Sequence, residues 1–218
     1  MEAARMSESQ QRLIGKGDMT ILRESPLHYV TAQAISDNCT NPGVVIVEQA
    51  HMGHLNLRGN PQNEMFRQGI ADVLGLQLPI EPGCCAGNGQ HSLYWLGPTE
   101  WLAIVPGGTE ATVEAKLRET LTGHFAVTDV SGGQTILNLS GKAVNEVLKK
   151  SSVYDFHPSQ FTQGRCVQTT FAKASALIHK NADDSFDLVI RRSFSDYLFH
   201  WIIDAASEYG IDVKAYSE

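Results

Sequence analysis

Short apolar runs broken by turn-forming clusters dominate this chain, and helical spacing interrupts them at three or four places. Residues 43–49 (GVVIVEQ) are rich in β-branched side chains and follow the turn signal Asn41-Pro42-Gly43, so they read as a strand. Residues 54–58 (HLNLR) alternate apolar and polar positions, again a strand, ended by Gly59-Asn60-Pro61. Between Gln62 and Leu74 the side chains of Phe66, Ile70, Val73 and Leu74 fall on one helical face, and Gly75 supplies a stop. A loop rich in Gly, Pro and Cys (79–91) leads to a hairpin of SLYWLG and WLAIVP (101–106). Thr109 is placed to cap a helix whose stripe is Val113, Leu117 and Leu121, with Glu110 favourable in its first turn.

Residues 125–130 and 135–139 read as strands flanking Ser131-Gly132-Gly133, followed by a short helix with Val144, Val147 and Leu148 inward. Residues 166–179 and 185–191 predict a hairpin around Asn181-Ala182-Asp183-Asp184. The last helix carries Phe194, Tyr197, Leu198, Trp201, Ile202 and Ala205 at helical spacing; Ser193 or Ser195 caps it, Gly210 closes it, and Phe199 lies off the stripe. Helices interrupting hairpins, rather than alternating with single strands, predict an α+β fold with a mainly antiparallel sheet. The domain is expected over 21–212, with two lobes meeting near residue 122.

The chain has 218 residues, 42% hydrophobic and 19% charged, ordinary for a globular protein with a substantial core. Its formal net charge of -7 argues against nucleic acid or an anionic membrane as a partner, since such binders carry a basic stripe. The longest basic runs here are the pairs Lys149-Lys150 and Arg191-Arg192. No apolar run approaches the ~20 residues that span a bilayer. Residues 1–20 read as a polar, mobile extension without the apolar stretch of a secretory signal. Cys39, Cys84, Cys85 and Cys166 are too few and scattered for a disulfide scaffold, so a cytoplasmic, reduced location is expected.

Catalytic signatures are sparse. No G-x-S-x-G elbow and no P-loop occurs, and Gly87-Asn88-Gly89 lacks both the third glycine and the preceding strand of a dinucleotide fingerprint. His51, His54, Cys84, Cys85 and His91 supply zinc-type donors, but a strand through both histidines would point them to opposite faces, and adjacent cysteines fit one tetrahedral site poorly. Ordinary polar surface and small buried thiols are the simpler reading. Cys84 has no charged residue within two positions to lower its pKa, so inert loop thiols are expected. Asp129 stands at a strand end beside a turn, where a carboxylate serves chemistry or, more often, caps the turn's N–H groups. Alternation puts Tyr94 and Trp95 on opposite sheet faces, so one of them should look outward. Exposed aromatics beside Arg58, Arg191 or Arg192 would have the composition of an interface hot spot.

The ordered segments LNLRGNP (55–61), LP (78–79), LYWLGPTEWLAIVPGG (93–108), VTDVSGGQTILNLSG (127–141), VLKKSSVYDFHPSQF (147–161), CVQTTFAKA (166–174) and RSFSDYLFHWIIDAA (192–206) together resemble the gamma subunit of bacterial heterotetrameric sarcosine oxidase. The LRGNP, WLGP-x-EWL and RSF-x-x-Y-L segments are the most specific; Thr99 stands where an acidic residue is common. The resemblance implies a fold similar to the folate-binding part of the glycine-cleavage T-protein. It implies a non-catalytic subunit of a complex that demethylates sarcosine to glycine, with hydrogen peroxide and methylene-tetrahydrofolate as products. FAD, FMN, NAD and tetrahydrofolate are then expected in the partner subunits and zinc in delta, with alpha, beta and delta as partners and alpha as the direct contact. Arg58, Trp95, Trp101 and Arg192 are expected to form or brace that contact. The alternatives are a stand-alone folate-binding aminomethyltransferase-like protein, for which Asp129 and Asp155 are the candidate site residues, the equivalent subunit of another N-methyl amino acid oxidase, or a structural domain of an unrelated complex.

Overall fold

The computed structural model describes residues 23–30, 41–182 and 184–214. The polar extension expected over 1–20, and Asp183 in the last hairpin turn, lie outside the described residues. The chain enters one sheet with β1 (Val44–Gln49), leaves it, and builds a second unit from β2 (Gly53–Arg58), α1 (Glu64–Leu74), β3 (Cys85–Gly87), β4 (Ser92–Gly97), β5 (Glu100–Val105), α2 (Glu110–Thr120) and β6 (Ala126–Asp129). A 3-10 turn at Ser131–Gly133 returns it to β7 (Gln134–Ser140), α3 (Val144–Ser151), β8 (Cys166–Phe171), β9 (Ala174–Ala182), β10 (Ser185–Arg191), α4 (Ser195–Ala206) and β11 (Ile211–Lys214). Residue 122 lies inside the second unit, between α2 and β6.

The first sheet has the order β11-β1-β7-β10-β9-β8 and the second β3-β4-β5-β2-β6. Every pairing is antiparallel except β1 with β11, so the fold is α+β and mainly antiparallel, as expected. Three buried clusters define its layers. The first sheet packs on α3 and α4 through Ile46, Leu137, Val147, Phe186, Leu188 and Phe199. The second packs on α1 and α2 through Leu55, Leu57, Phe66, Trp101, Val113 and Leu117. Between the sheets, Tyr94, Leu102 and Ile104 of the second meet Ile136, Leu177 and Val189 of the first. Both faces of both sheets are therefore covered. For this reason β5 is buried at nearly every position and shows no hydrophobic alternation.

Local chemistry sets the element ends, with some departures from expectation. Asn63 caps α1 through its side-chain oxygen, which accepts from Met65 N at 3.0 Å, and Gly75 ends the helix in the left-handed region at φ 68°. Thr109 does not cap α2: it sits at helical dihedrals, and its hydroxyl donates to Pro106 O at 2.7 Å instead. Ser195 likewise gives its hydroxyl to Arg192 O. The inward stripe of α4 is Ser195, Leu198, Phe199, Ile202 and Ala206, so Phe199 is core while Phe194 and Tyr197 are exposed. Two apolar faces at helical spacing compete on that helix, and the sheet takes the one that carries Phe199. Residues 166–179 form two strands, because Ala172 turns the chain at φ 51° with no Gly, Asn or Pro to announce it.

Trp101 is wholly buried, donates its indole N–H to Pro79 O at 2.7 Å, and lies 5.8 Å from the ring of Phe66. Of the two roles expected for it, contact or brace, its burial suits the brace, holding the second unit from inside. Trp101→Ala should cost about 3–5 kcal/mol in urea unfolding, from the cavity and the stranded carbonyl.

His54 faces the other sheet, opposite Ile104, with Nδ1 2.9 Å from Met52 O and Nε2 buried without a partner among the described residues. Burial holds its pKa below the usual histidine range, against upward pulls from the Met52 carbonyl and the Asp129 carboxylate. The unfolded chain takes up this proton as pH falls through about 6.5, whereas the folded chain resists until a lower pH. Stability contributed by the neutral ring is therefore present above that value and lost on acidification below it. The urea midpoint should fall between about pH 7.5 and pH 5.5, and fall less in His54→Leu.

Candidate functional site

Two places concentrate polar and aromatic side chains. The first is a surface at the start of α4. Glu48, on β1, accepts from the hydroxyls of Ser25 and Thr135, both at 2.7 Å, and so ties the segment at 23–30 to the first sheet. Arg192 donates to Glu24 O at 3.0 Å, and the Tyr29 hydroxyl donates to Asp196. Burial, followed by that aspartate, pushes the Tyr29 phenol up to about 12. An open depression of about 600 Å³ lies here, lined by His28, Arg191, Arg192, Ser195 and Asp196 among others. Tyr29, Phe194 and Tyr197 are among the described large apolar side chains left exposed. Aromatic rings beside guanidinium groups on a partly wet surface match the make-up of a protein contact.

The second place is the edge where the two sheets meet. Cys84 pairs with Arg165 in an isolated antiparallel bridge, and Cys166 N donates to Gly83 O at 2.9 Å, so β3 and β8 are stitched together by backbone bonds. The Cys85 thiol donates to Gly164 O at 2.8 Å and the Cys166 thiol to Cys84 O at 3.4 Å, and the two sulfurs lie close enough to influence each other's ionisation. In register, Cys85 lies opposite Tyr94 and Cys166 opposite His179, and the Tyr94 ring meets the His179 ring edge-on at 5.1 Å. The Cys166 thiol, then His179 and Arg165, lower the Cys85 pKa, opposed by burial; the S–H contact to Gly164 O at 2.8 Å also favours the neutral thiol. Cys166 is raised by the Cys85 sulfur and by burial. Cys84 has Arg165 Nη1 3.7 Å from its sulfur. Cys84 and Cys85 have no charged residue within two positions, and the fold brings to them Arg165, beside Cys166 in the turn before β8, and His179 of β9. Only that long-range pairing reveals the cluster.

The residues singled out from sequence are scattered. Asp129 accepts from Ser131 N at 2.9 Å and from the Ser131 hydroxyl, so its carboxylate closes the turn between the sheets. Asp155, exposed, accepts from His157 N at 2.9 Å in the loop after α3. The two carboxylates sit on different units and do not share a cleft in the described residues. Arg58 is exposed and pairs with Glu100 at 2.9 Å. Trp95 is half-buried against the helix-side core of the second unit, while Tyr94 faces the other sheet at 4% exposure. Neither looks freely outward, because each sheet face has a neighbour. His51 precedes β2 at φ 60°, and His91 Nδ1 lies 2.9 Å from Leu74 O at the end of α1. Among the described residues, no group of three or more His, Cys, Asp or Glu side chains is arranged to hold a metal ion.

Comparison with known proteins gives this geometry a family. Residues 58–208 match the model of the sarcosine oxidase, gamma subunit family. The sarcosine oxidase subunit gamma of Corynebacterium sp. (strain P-1) is 34% identical over 201 residues, covering 91% of this chain and 97% of that one. The Arthrobacter sp. subunit gamma is 34% identical over 194 residues, covering 88% and 94%. A chain of the heterotetrameric sarcosine oxidase from Corynebacterium sp. U-96, solved with pyrrole 2-carboxylate, superposes with a TM-score of 0.78 at 30% identity over 86% of this chain and 96% of that one. Aminomethyltransferase T of the glycine cleavage system from Bartonella henselae shares the fold, with a TM-score of 0.59 at 12% identity over 81% of this chain and 48% of that one. The chain belongs to the sarcosine oxidase gamma subunit family.

Proposed function

We propose that this chain is the gamma subunit of a heterotetrameric sarcosine oxidase and serves the complex as an assembly partner with no catalytic residue of its own. The observation that carries the reading is that sequence and fold agree over nearly the whole length of the relatives, 97% of one subunit gamma and 96% of the solved chain. The complex would demethylate sarcosine to glycine, forming hydrogen peroxide and methylene-tetrahydrofolate. FAD, FMN, NAD and tetrahydrofolate are assigned to the partner subunits and zinc to delta. Direct contact is with alpha, in the cytoplasm.

The docking surface is placed at the start of α4, where Arg192 stands among exposed Phe194, Tyr197 and Tyr29. Arg58 and Trp95 are assigned to the same contact or its border, with Trp101 bracing the unit from within. This reading is supported by the kind of side chain exposed, since soluble chains seldom leave several large rings together at the surface without a use for them. The second reading, a stand-alone folate enzyme, draws on the T-protein-like fold; at 12% identity that likeness speaks for architecture alone. Such an enzyme needs a free carboxylate at the pterin edge, whereas Asp129 and Asp155 are both engaged by turn N–H groups.

Titrating the isolated chain with tetrahydrofolate by calorimetry is expected to give no binding heat; micromolar affinity would favour the folate enzyme. Arg192→Ala combined with Phe194→Ala should weaken capture by the partner subunits roughly tenfold or more while leaving the chain's own unfolding midpoint little changed. Undiminished capture would remove the α4 surface from the contact.

A further inference from the structure

The edge where β3 meets β8 holds chemistry that an assembly role does not use. Three thiols, an imidazole and a guanidinium gather there from three strands and from the bridge residues just before β3 and β8. The backbone brings them together: Trp95 N and Cys166 N donate to the Cys84 and Gly83 carbonyls, both at close to 3 Å, so the two edge strands cannot drift apart without breaking those bonds. Cys85 and Cys166 come from different sheets, and the antiparallel Cys84–Arg165 bridge sets them diagonally on one face, in the same buried cluster, with the Cys166 sulfur 3.4 Å from Cys84 O and the Cys85 sulfur 2.8 Å from Gly164 O. Cys85 is partly open to solvent, and Cys166 lines a cavity of about 390 Å³ together with Gly83, Trp95 and Arg165. A small oxidant reaches Cys85 from the solvent side, to which that residue is partly open.

We propose that Cys85 and Cys166 form a peroxide-oxidisable dithiol, in which Cys85 is the reacting sulfur and Cys166 the resolving one. In the first step the Cys85 thiolate attacks one oxygen of a hydroperoxide. The O–O bond breaks, a sulfur–oxygen bond forms, and the displaced hydroxide (or alkoxide) takes the proton that the thiol released. Cys85 is then a sulfenic acid. In the second step the Cys166 sulfur attacks the Cys85 sulfur, the S–O bond breaks, and the Cys166 proton leaves with the hydroxide as water. Two thiols are oxidised to one disulfide and one hydroperoxide is reduced, with the second oxygen accounted for as water.

The residues divide the work accordingly. Cys166, then His179 and Arg165, favour the anionic form of Cys85 against the opposing effect of burial, and that anion is the nucleophile in the first step. Cys166, buried and holding its proton, is kept from reacting first and stands against the sulfur it must attack. Cys84, just before β3, has its sulfur 3.7 Å from Arg165 Nη1 and pairs with that residue in the backbone bridge. The resulting bond would clasp the two sheets across their shared edge and close a long loop of chain. A bridge of that kind raises the melting temperature of a domain this size by roughly 5–10 °C.

The test uses the full-length chain, reduced and then exposed to hydrogen peroxide, followed by alkylation of the remaining thiols and peptide mapping by mass spectrometry. The expected result is a Cys85–Cys166 cross-linked peptide in both the native chain and Cys84→Ser, reversed by dithiothreitol, with the rise in melting temperature lost on reduction. In Cys166→Ser, oxidation should stop at a sulfenic acid on Cys85 that dimedone captures. Should Cys166→Ser fail to fold, the mapping of the native chain and of Cys84→Ser decides alone. Recovery of Cys85 and Cys166 as alkylated thiols after peroxide, or a bridge that needs Cys84 or Cys39, would overturn the proposal.

Discussion

The structure depends on one packing constraint: two antiparallel sheets bury a face against each other while helices cover the remaining face of each. A single twisted sheet with helices on one side would leave its far face wet. Here Tyr94, Leu102 and Ile104 close on Ile136, Leu177 and Val189, and the water is displaced. The chain reaches this arrangement by leaving the first sheet after β1, building the whole second unit, and coming back through Ser131–Gly133 to lay β7 beside β1. The Asp129 carboxylate and the Ser131 hydroxyl hold that return: Ser131 donates to Asp129 and accepts from His54 N at 2.9 Å. A carboxylate with the look of a catalytic group is in this way fully occupied in positioning the second sheet against the first.

Doubly covered sheets explain what the sequence disclosed and what it hid. Elements with a regular polar alternation or a strong cap were legible: α1 from its Asn63 to Gly75 frame, and β2 from His54 and Asn56 alternating with Leu55 and Leu57, although both of its faces are covered. The antiparallel α+β class followed from hairpins punctuated by helices. Sidedness was not legible. Period-2 alternation predicts an outward face only when a sheet has one, so neither Tyr94 nor Trp95 is freely exposed. On α4 two aromatic faces were equivalent in sequence, and the partner sheet chose Phe199 over Phe194 and Tyr197. Strand β3 was missed because it is only three residues long in a stretch rich in Gly and Cys, and β11 because it is short and gains its hydrogen bonds from the distant β1. Local composition carries no trace of such pairings.

The functional side divides in the same way. The family was legible from motifs in order, and those motifs map largely onto the packed framework: LRGNP at the end of β2, WLGP-x-EWL across the β4–β5 turn, RSF-x-x-Y-L at the start of α4. Trp101 shows why a motif residue need not be a contact residue, since its indole is spent on the Pro79 carbonyl and the Phe66 ring. The thiol cluster was illegible, because Cys85, Cys166 and His179 are distant in sequence and meet only when β3 docks on β8 and β9. A chain whose interior is filled sheet against sheet offers its surface, above all the arginine and aromatic patch at α4, as the part free to act.

Native mass spectrometry of this chain, recovered under mild conditions from the cells that make it, tests the central claim most directly. The account predicts one copy of the chain held in an assembly with three different companion polypeptides, together oxidising sarcosine. A free chain that turns over an amine or a folate substrate unaided, with no companions, would contradict it.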